Sequence, residues 1–321
     1  MENPVLDVVA IGNAIIDVIA MAHDTFLDEH GMTKGAMMLI DEERAERIYT
    51  AMGQGALSSG GSASNTVAWL SEMGGAAGYI GKVRDDELGR AFRHDLTATG
   101  AVFRTLAAPA GPATARCLIL VTPDSQRTMN TFLGACVNLT VDDIDAELIQ
   151  SAKVTHLEGY LYDEPHAKAA FHKAAAIAHE ADRKVSLSLS DRFCVDRHHG
   201  DFLSLVDNHV DILFANRAEI QALFKRDTIA EAVQHVRSLA ELAVITLDKD
   251  GSLIVSQDAV TEIKPVPTTV VDTTGAGDAY AAGFLYGFTR GRPLKECGDL
   301  ASAAAGEVIS HVGARRQTTK K

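Results

Sequence analysis

From Val271 to Phe284 the chain reads Val-Asp-Thr-Thr-Gly-Ala-Gly-Asp-Ala-Tyr-Ala-Ala-Gly-Phe. A polar pair, Thr273 and Thr274, leads into Gly275-Ala276-Gly277, an acid follows at once as Asp278, and a run of small residues then predicts a helix. The first turn of a helix carries unpaired N–H donors and a partial positive charge, which suits phosphate. Glycine at 275 and 277 lets a large anion approach the backbone. A carboxylate at Asp278 stands where it can take the proton of an attacking hydroxyl during phosphoryl transfer. On residue types alone, a Gly-rich loop with a helix-capping Asp reads the same way.

A second group of polar residues lies near the N-terminus. Gly12-Asn13-Ala14-Ile15-Ile16-Asp17 follows an apolar run, and Ser59-Gly60-Gly61-Ser62-Ala63-Ser64-Asn65 opens a helical stretch. The Asp17 carboxylate can accept hydrogen bonds from two neighbouring hydroxyls, and Asn13 can donate and accept beside it. Turn and cap roles are the alternative for this pair. Gly60 and Gly61 would expose backbone N–H groups, and Asn65, one helical turn on, would aim its amide at the same place. Ser62 is read as a helix cap and not as a substrate contact.

The string around Asp278 resembles the C-terminal signature of the ribokinase-like (PfkB) family of sugar and nucleoside kinases, and Ser59 to Ala68 resembles that family's Gly-Gly substrate motif. The two stand about 200 residues apart in the family's order, and the resemblance covers nearly the whole chain. It implies an α/β fold, a ribokinase-like three-layer α/β/α arrangement with a mostly parallel central sheet and a small β-sheet lid. It implies ATP and Mg²⁺, with the γ-phosphoryl passing to a primary hydroxyl of a small-molecule nucleoside or sugar. The implied site has Asp278 as the catalytic base, Gly275, Ala276 and Gly277 as an anion hole, and Asn13, Asp17, Gly60, Gly61 and Asn65 on the acceptor. Asn216-Arg217-Ala218-Glu219 matches the family's Asn-x-x-Glu, so that Glu219 would meet Mg²⁺ through water and Asn216 would serve the nucleotide. Thr246 and Gly251, in a strand-end loop, resemble the segment beside the nucleotide's ribose and phosphates, with a plain turn at Gly251 as the equal alternative. Within the family, the Asn13/Asp17 pair, the Gly-Gly-Ser-Ala-Ser-Asn run and the string Arg127 to Ala135 are nearest the adenosine kinase branch. Ribokinase- or fructokinase-type sugar phosphorylation is the other reading. A non-catalytic nucleotide sensor on the same fold would be expected to lack Asp278 or its glycines, and all are present.

Around these residues the pattern alternates. Strands are predicted over Val5–Ile11, Gly78–Val83, Val154–Glu158, Lys184–Leu189, Ile212–Ala215 and Ala243–Leu247, and helices over Asp41–Met52, Ala63–Met73, Asp86–Ala98, Glu164–Ala181 and Arg217–Phe224 and from Gly275 and Leu294. Such alternation implies a parallel sheet covered on both faces. Asp17–Met21 with Ala36–Ile40, and Ala115–Thr122 with Gln126–Phe132 across the turn Pro123-Asp124-Ser125, read as two inserted antiparallel pairs. One domain, 1–321, is expected, with a lid from segments about 17–40 and 113–133. Arg116 and Arg127 on the lid strands are candidates for neutralising a phosphate. Met37, Met38 and Phe132 are candidates for stacking on a base, Ala303 to Gly306 and His311 to Gly313 for an adenine slot, and His198-His199 reads as loop. The tail Gln317 to Lys321 is expected to fray.

Thirty Lys and Arg against 43 Asp and Glu give a net charge of −13, which argues against general nucleic-acid binding. Cys117, Cys136, Cys194 and Cys297 form no Cys-x-x-Cys pair and read as reduced, mostly buried thiols. No basic-then-apolar leader opens the chain, and no window reaches the roughly 18 apolar residues of a membrane span. A cytoplasmic protein is expected, monomer or homodimer, without membrane partners. Gly81-Lys82 lacks the rest of a Walker A loop, and no Gly-x-Gly-x-x-Gly occurs, which disfavours nicotinamide chemistry. His166, His172 and His179 do not make a metal-binding helical pair.

Overall fold

The computed structural model describes residues 5–316 apart from Ser125. Expectations for the first four residues, for the tail Gln317 to Lys321 and for Ser125 in its turn lie outside the described residues.

Nine strands form the large sheet, in the spatial order Val260–Ile263, Ser252–Ser256, Leu242–Thr246, Ile212–Asn216, Lys184–Ser188, Ala152–Glu158, Leu6–Ile11, Ala77–Ile80 and Val102–Phe103. Neighbours run parallel from Leu242–Thr246 onward, and the last two strands of the chain add an antiparallel hairpin at one edge. Every residue of Leu6–Ile11 is buried, as a strand with helices on both faces requires. Val8 and Ala10 enter one apolar core with Trp69 and Phe284, whereas Val9 and Ile11 enter the other with Phe171 and Phe202. Three layers result.

The strand order reverses beside Leu6–Ile11. The chain first builds outward through Ala77–Ile80 and Val102–Phe103, then returns to Ala152–Glu158 and builds the other way. Two strands that diverge in this manner leave a crevice beyond their C-terminal ends, where ligands collect in open α/β sheets. Glu158 ends one of these strands, and Asn13 follows the other by two residues.

A separate five-stranded sheet has the order Met37–Leu39, Arg127–Phe132, Ala115–Val121, Ile15–Met21, Ala56–Gly60. The Ala115–Val121 and Arg127–Phe132 hairpin forms as expected. The other predicted pair does not. Ile15–Met21 runs parallel to Ala115–Val121 and antiparallel to Ala56–Gly60, and Met37–Leu39 lies at the far edge, parallel to Arg127–Phe132. Alternating apolar residues specify which face is buried, but not which strand lies alongside. Ala56–Gly60, rich in Ser and Gly, carries no strand pattern and went unpredicted.

Capping explains several boundaries. Asp41 accepts from the Arg44 amide at 2.7 Å, and Asp86 from that of Gly89 at 2.8 Å. His199 does not lie in a loop: it begins the helix His199–His209, and its ring meets the Leu223 carbonyl at 2.9 Å. The four cysteines are free and buried. No helix among the described residues is long and apolar enough to cross a membrane.

Candidate active site

The acceptor side is built around a buried acid that the sequence reading overlooked. Glu158, at the end of Ala152–Glu158, is 1% exposed. Its Oε1 accepts from Asn13 Nδ2 at 2.9 Å, and its Oε2 accepts from the amides of Ala63 at 2.7 Å and Asn13 at 3.3 Å. Asn13, itself buried, is thereby committed to Glu158. One carboxylate ties the loop after the first strand to the first turn of the helix Ser62–Glu72. Burial pushes the Glu158 pKa up to about 7, with the charge of Asp278 adding to the rise and the donors opposing it.

Gly60 and Gly61 fit tightly here. A Cβ on Gly60 would stand 2.5 Å from the Asp17 carboxylate, so the Asp17 side chain lies directly over that backbone. Gly61 has φ +87°, and its Cβ would come within 2.0 Å of the Asn13 carbonyl oxygen. Gly61, not Ser62, is the N-cap, and Ser62 turns elsewhere. Asp17 is half-buried, and its pKa is raised to about 7 by burial, with a smaller push from Asp278, while Arg315 and Arg127 pull it down.

Asp278 occupies the first turn of the helix Ala276–Phe288, which packs against Ser62–Glu72. Its Oδ1 accepts from Ser62 Oγ at 2.6 Å and its Oδ2 from Asn65 Nδ2 at 2.9 Å. Burial raises its pKa, opposed by those two donors and by Arg315. Gly275 is the N-cap at φ +78°, and a Cβ there would meet Ala314 at 2.7 Å, so glycine is demanded by the fold itself. A Cβ on Gly277 would meet nothing within 4 Å: open space faces it. The Ala276 amide turns back to the Thr273 carbonyl at 3.2 Å. Of the three amides expected at an anion hole, that of Ala276 is thus already engaged, while those of Gly277 and Asp278 meet no acceptor among the described residues.

Asp272 is a junction. Its carboxylate accepts from the Thr274 amide at 3.0 Å, from Thr274 Oγ1 at 2.7 Å, from the Gly313 amide at 2.8 Å and from Arg127 Nη1. Arg127 also reaches Thr274 Oγ1 at 2.6 Å, so the small sheet is fastened to the Gly-rich loop. Strand register explains why Arg127 arrives there. Arg127 pairs with Val121, and Asp17 with Cys117, which puts both on one face of the small sheet together with Met37. Arg116 and Phe132 pair with each other on the opposite face, and Met38 is with them. Arg116 is buried against Glu46 at 2.9 Å and the Tyr49 ring, away from the site. Met38 and Phe132 likewise leave the set of base-stacking candidates.

On the other flank, Asn216 and Thr246 are register neighbours at the ends of adjacent parallel strands. Asn216 and Glu219 form a reciprocal capping box: the Glu219 amide donates to Asn216 Oδ1 at 2.9 Å, and Glu219 accepts from the Asn216 amide at 2.8 Å and from Nδ2 at 2.6 Å. Glu219 is buried and its pKa is raised to about 7, chiefly by burial, with Asp191 adding. Gly251 has φ +88°, and a Cβ would stand 2.1 Å from the Ile263 carbonyl, so the hairpin turn accounts for this glycine. Tyr160, just past Glu158, lies within the field of Asp191, Glu219, Asp278 and Glu158, and its phenol is held neutral by burial and by those acids. Val266 lies against Gly306 and the Val271 amide donates to the Ile309 carbonyl at 2.8 Å; both side chains are exposed, as are those of Val270 and Val312.

A helix N-terminus with free amides, an acid in its first turn and an acceptor crevice opposite define an α/β phosphotransferase. Residues 6–321 match the pfkB family of carbohydrate kinases, and the chain belongs to that family. It is therefore a kinase that takes its phosphoryl group from ATP. The adenosine kinase from Sinorhizobium meliloti is 47% identical, with a TM-score of 0.91 over 98% of this chain and 97% of that one. A probable sugar kinase from Rhizobium etli is 46% identical, with a TM-score of 0.92 over 98% and 96%. The adenosine kinase of Dictyostelium discoideum is 25% identical over 96% of either chain.

Proposed function

We propose that the protein phosphorylates the primary hydroxyl of an adenosine-like nucleoside, with Asp278 as general base. The observation that carries this reading is the Asp278 carboxylate, held by Ser62 and Asn65 beside the open amides of Gly277 and Asp278. Asp17 accepts from the acceptor's ring hydroxyls, and the Gly60–Gly61 backbone lies against them. Asn65 keeps one amide hydrogen for Asp278 and offers the other to the acceptor. Asp278 takes the proton of the attacking hydroxyl, and the Gly277 and Asp278 amides stabilise charge growing on the γ-phosphoryl oxygens. The small sheet acts as a lid that excludes water, a competing acceptor.

A Mg²⁺ ion, when bound with ATP, supplies charge neutralisation at the phosphates. Glu219 suits a contact through water: both oxygens are held by Asn216, and each keeps a lone pair for one. Asn216 and Thr246 flank the nucleotide, and the exposed valines near Gly306 suit its adenine.

Two observations favour a nucleoside acceptor over a free sugar. One is the 47% identity to the Sinorhizobium adenosine kinase. The other is Met37, 48% exposed on the Asp17 face of the lid, where a polarizable thioether can lie against a base. The equal likeness to a probable sugar kinase keeps ribose and fructose as the competing acceptors. ADP production with ATP, Mg²⁺ and a panel of nucleosides and sugars decides. The expected result is the highest kcat/KM with adenosine or a close analogue. A sugar preferred over every nucleoside overturns the acceptor assignment, and nucleotide binding without turnover on any acceptor overturns the enzyme reading. Asp278→Asn is expected to lose on the order of 10²–10⁴ in rate.

A further inference from the structure

We infer that Arg315 is a positioning residue of the phosphoryl-transfer site, delivered from the C-terminal segment to lock Asn65 and the Gly60–Gly61 backbone. Its guanidinium makes two separate contacts. Nε donates to Asn65 Oδ1 at 3.1 Å, and Nη2 donates to Ser64 Oγ at 2.8 Å. Ser64 is fully buried and passes its own proton to the carbonyl of Gly60, with a second contact to that of Gly61 at 3.1 Å. One fork therefore reaches the base through Asn65 and the acceptor loop through Ser64.

The chemistry of the Asn65 amide makes the link directional. Arginine has donors and no acceptor, and an ionised carboxylate has acceptors and no donor. With Arg315 on one side of Asn65 and Asp278 on the other, the amide oxygen must face Arg315 and the NH₂ must face Asp278. Without the guanidinium only the ionised carboxylate orients the amide, and once Asp278 takes up a proton the amide can turn its oxygen toward it.

The segment that brings Arg315 in is fixed at the two residues before it. The Gly313 amide donates to Asp272, and the Ala314 carbonyl accepts from Trp69 Nε1 at 2.8 Å. Ala314 also fills the space that a side chain at Gly275 would need. The segment is thus seated between the Gly-rich loop and the acceptor helix.

Charge adds to this. Asp278 is faced by Ser62 and Asn65 from the acceptor helix, by Asp17 from the small sheet, by Glu158 and Tyr160 from the end of the central strand, and by Arg315. The charge of Asp278 pushes the pKa of Asp17 and Glu158 up, while burial favours the protonated form of Asp278 and Arg315 favours the ionised base. Arg315 offsets the same repulsion at Asp17.

This inference rests on Asp278 acting as the base. The experiment compares wild type, Arg315→Ala, Arg315→Lys and Asp278→Asn by the pH dependence of kcat/KM and by thermal unfolding, using the full chain and the acceptor that the panel selects. Arg315→Ala is expected to move the acid limb of the profile upward by about one pH unit, read as an about tenfold loss below the limb. Arg315→Lys, which keeps the charge without the fork, should restore the limb but only part of the plateau rate. An Arg315→Ala enzyme with an unmoved limb and an unchanged plateau overturns the inference, and so does one whose loss is accounted for by its unfolded fraction alone. If Asp278→Asn turns over at the parent rate, the base assignment has failed instead, whatever Arg315 does.

Discussion

Asp278 and Asn65 meet at 2.9 Å although 213 positions separate them in the chain. The bond joins the helix Ala276–Phe288, whose first-turn amides are proposed to meet phosphate, to the helix Ser62–Glu72, which follows the proposed acceptor loop. Replacing Asn65 by Ala should lower kcat/KM by about 10–100-fold, the usual worth of a hydrogen bond to a charged group. Ser62→Ala removes the donor at the other carboxylate oxygen and should act in the same direction. Steady-state rates of ADP formation test both. An Asn65→Ala enzyme with parental kinetics would show that this contact contributes nothing to transfer.

Gly275 and Gly277 should respond in opposite ways to alanine. At Gly275 the backbone has φ +78° and the new methyl group collides with Ala314, so Gly275→Ala is expected to lower stability by about 1–3 kcal/mol. At Gly277 the methyl meets only open space, so the melting temperature should hold while KM for ATP rises. Calorimetry beside ATP titrations separates the two. Equal melting temperatures for both variants would contradict this account of the loop.

The buried acid Glu158 should leave a mark on stability against pH. Its pKa is about 7 in the fold against 4.5 for the ordinary group. Below pH 4.5 both states hold the proton. Between 4.5 and 7 the folded chain keeps a proton that the unfolded chain has released, so stability falls as pH rises through that window. Glu158→Gln removes the titration, and its urea midpoint should decline less steeply over the same range. Identical slopes for variant and parent would rule the assignment out.

The two lid arginines offer a test of register. Arg127 lies on the Asp17 face and grips Asp272 and Thr274, whereas Arg116 lies on the reverse face against Glu46. Arg127→Gln is expected to reduce kcat/KM for ATP by tenfold or so and to increase ATP hydrolysis without acceptor, because the lid is less firmly seated. Arg116→Gln should leave ATP kinetics alone and affect only stability. Phosphate release with and without acceptor reads the difference.

Much of this was legible in the residues, and the reasons are local. Asp278 with its glycines, and the Gly60–Gly61 pair, announce themselves because phosphate binding and positive φ restrict the residue types within a few positions. The parallel strands were visible as continuous apolar runs, except the two-residue edge strand Val102–Phe103, which is too short to show one. What stayed hidden depends on distant partners. Glu158 reads as the last residue of a strand until Ala63 and Asn13 are seen to donate to it. Arg315 carries no neighbouring signal, because the residues it holds lie 250 and 251 positions away. Ser62 looked like a cap because Ser often is one, yet the glycine before it takes that place. The strand partners of the small sheet were misassigned because alternation is silent on topology.

The tether from the C-terminal segment also has a meaning in time. During synthesis the acceptor loop emerges first, and Ser62 must wait 216 residues for its partner Asp278. At about 5–20 residues per second that interval is roughly 10–40 s. A nascent chain that already holds most of the large sheet therefore still lacks the acid that Ser62 and Asn65 are placed to hold.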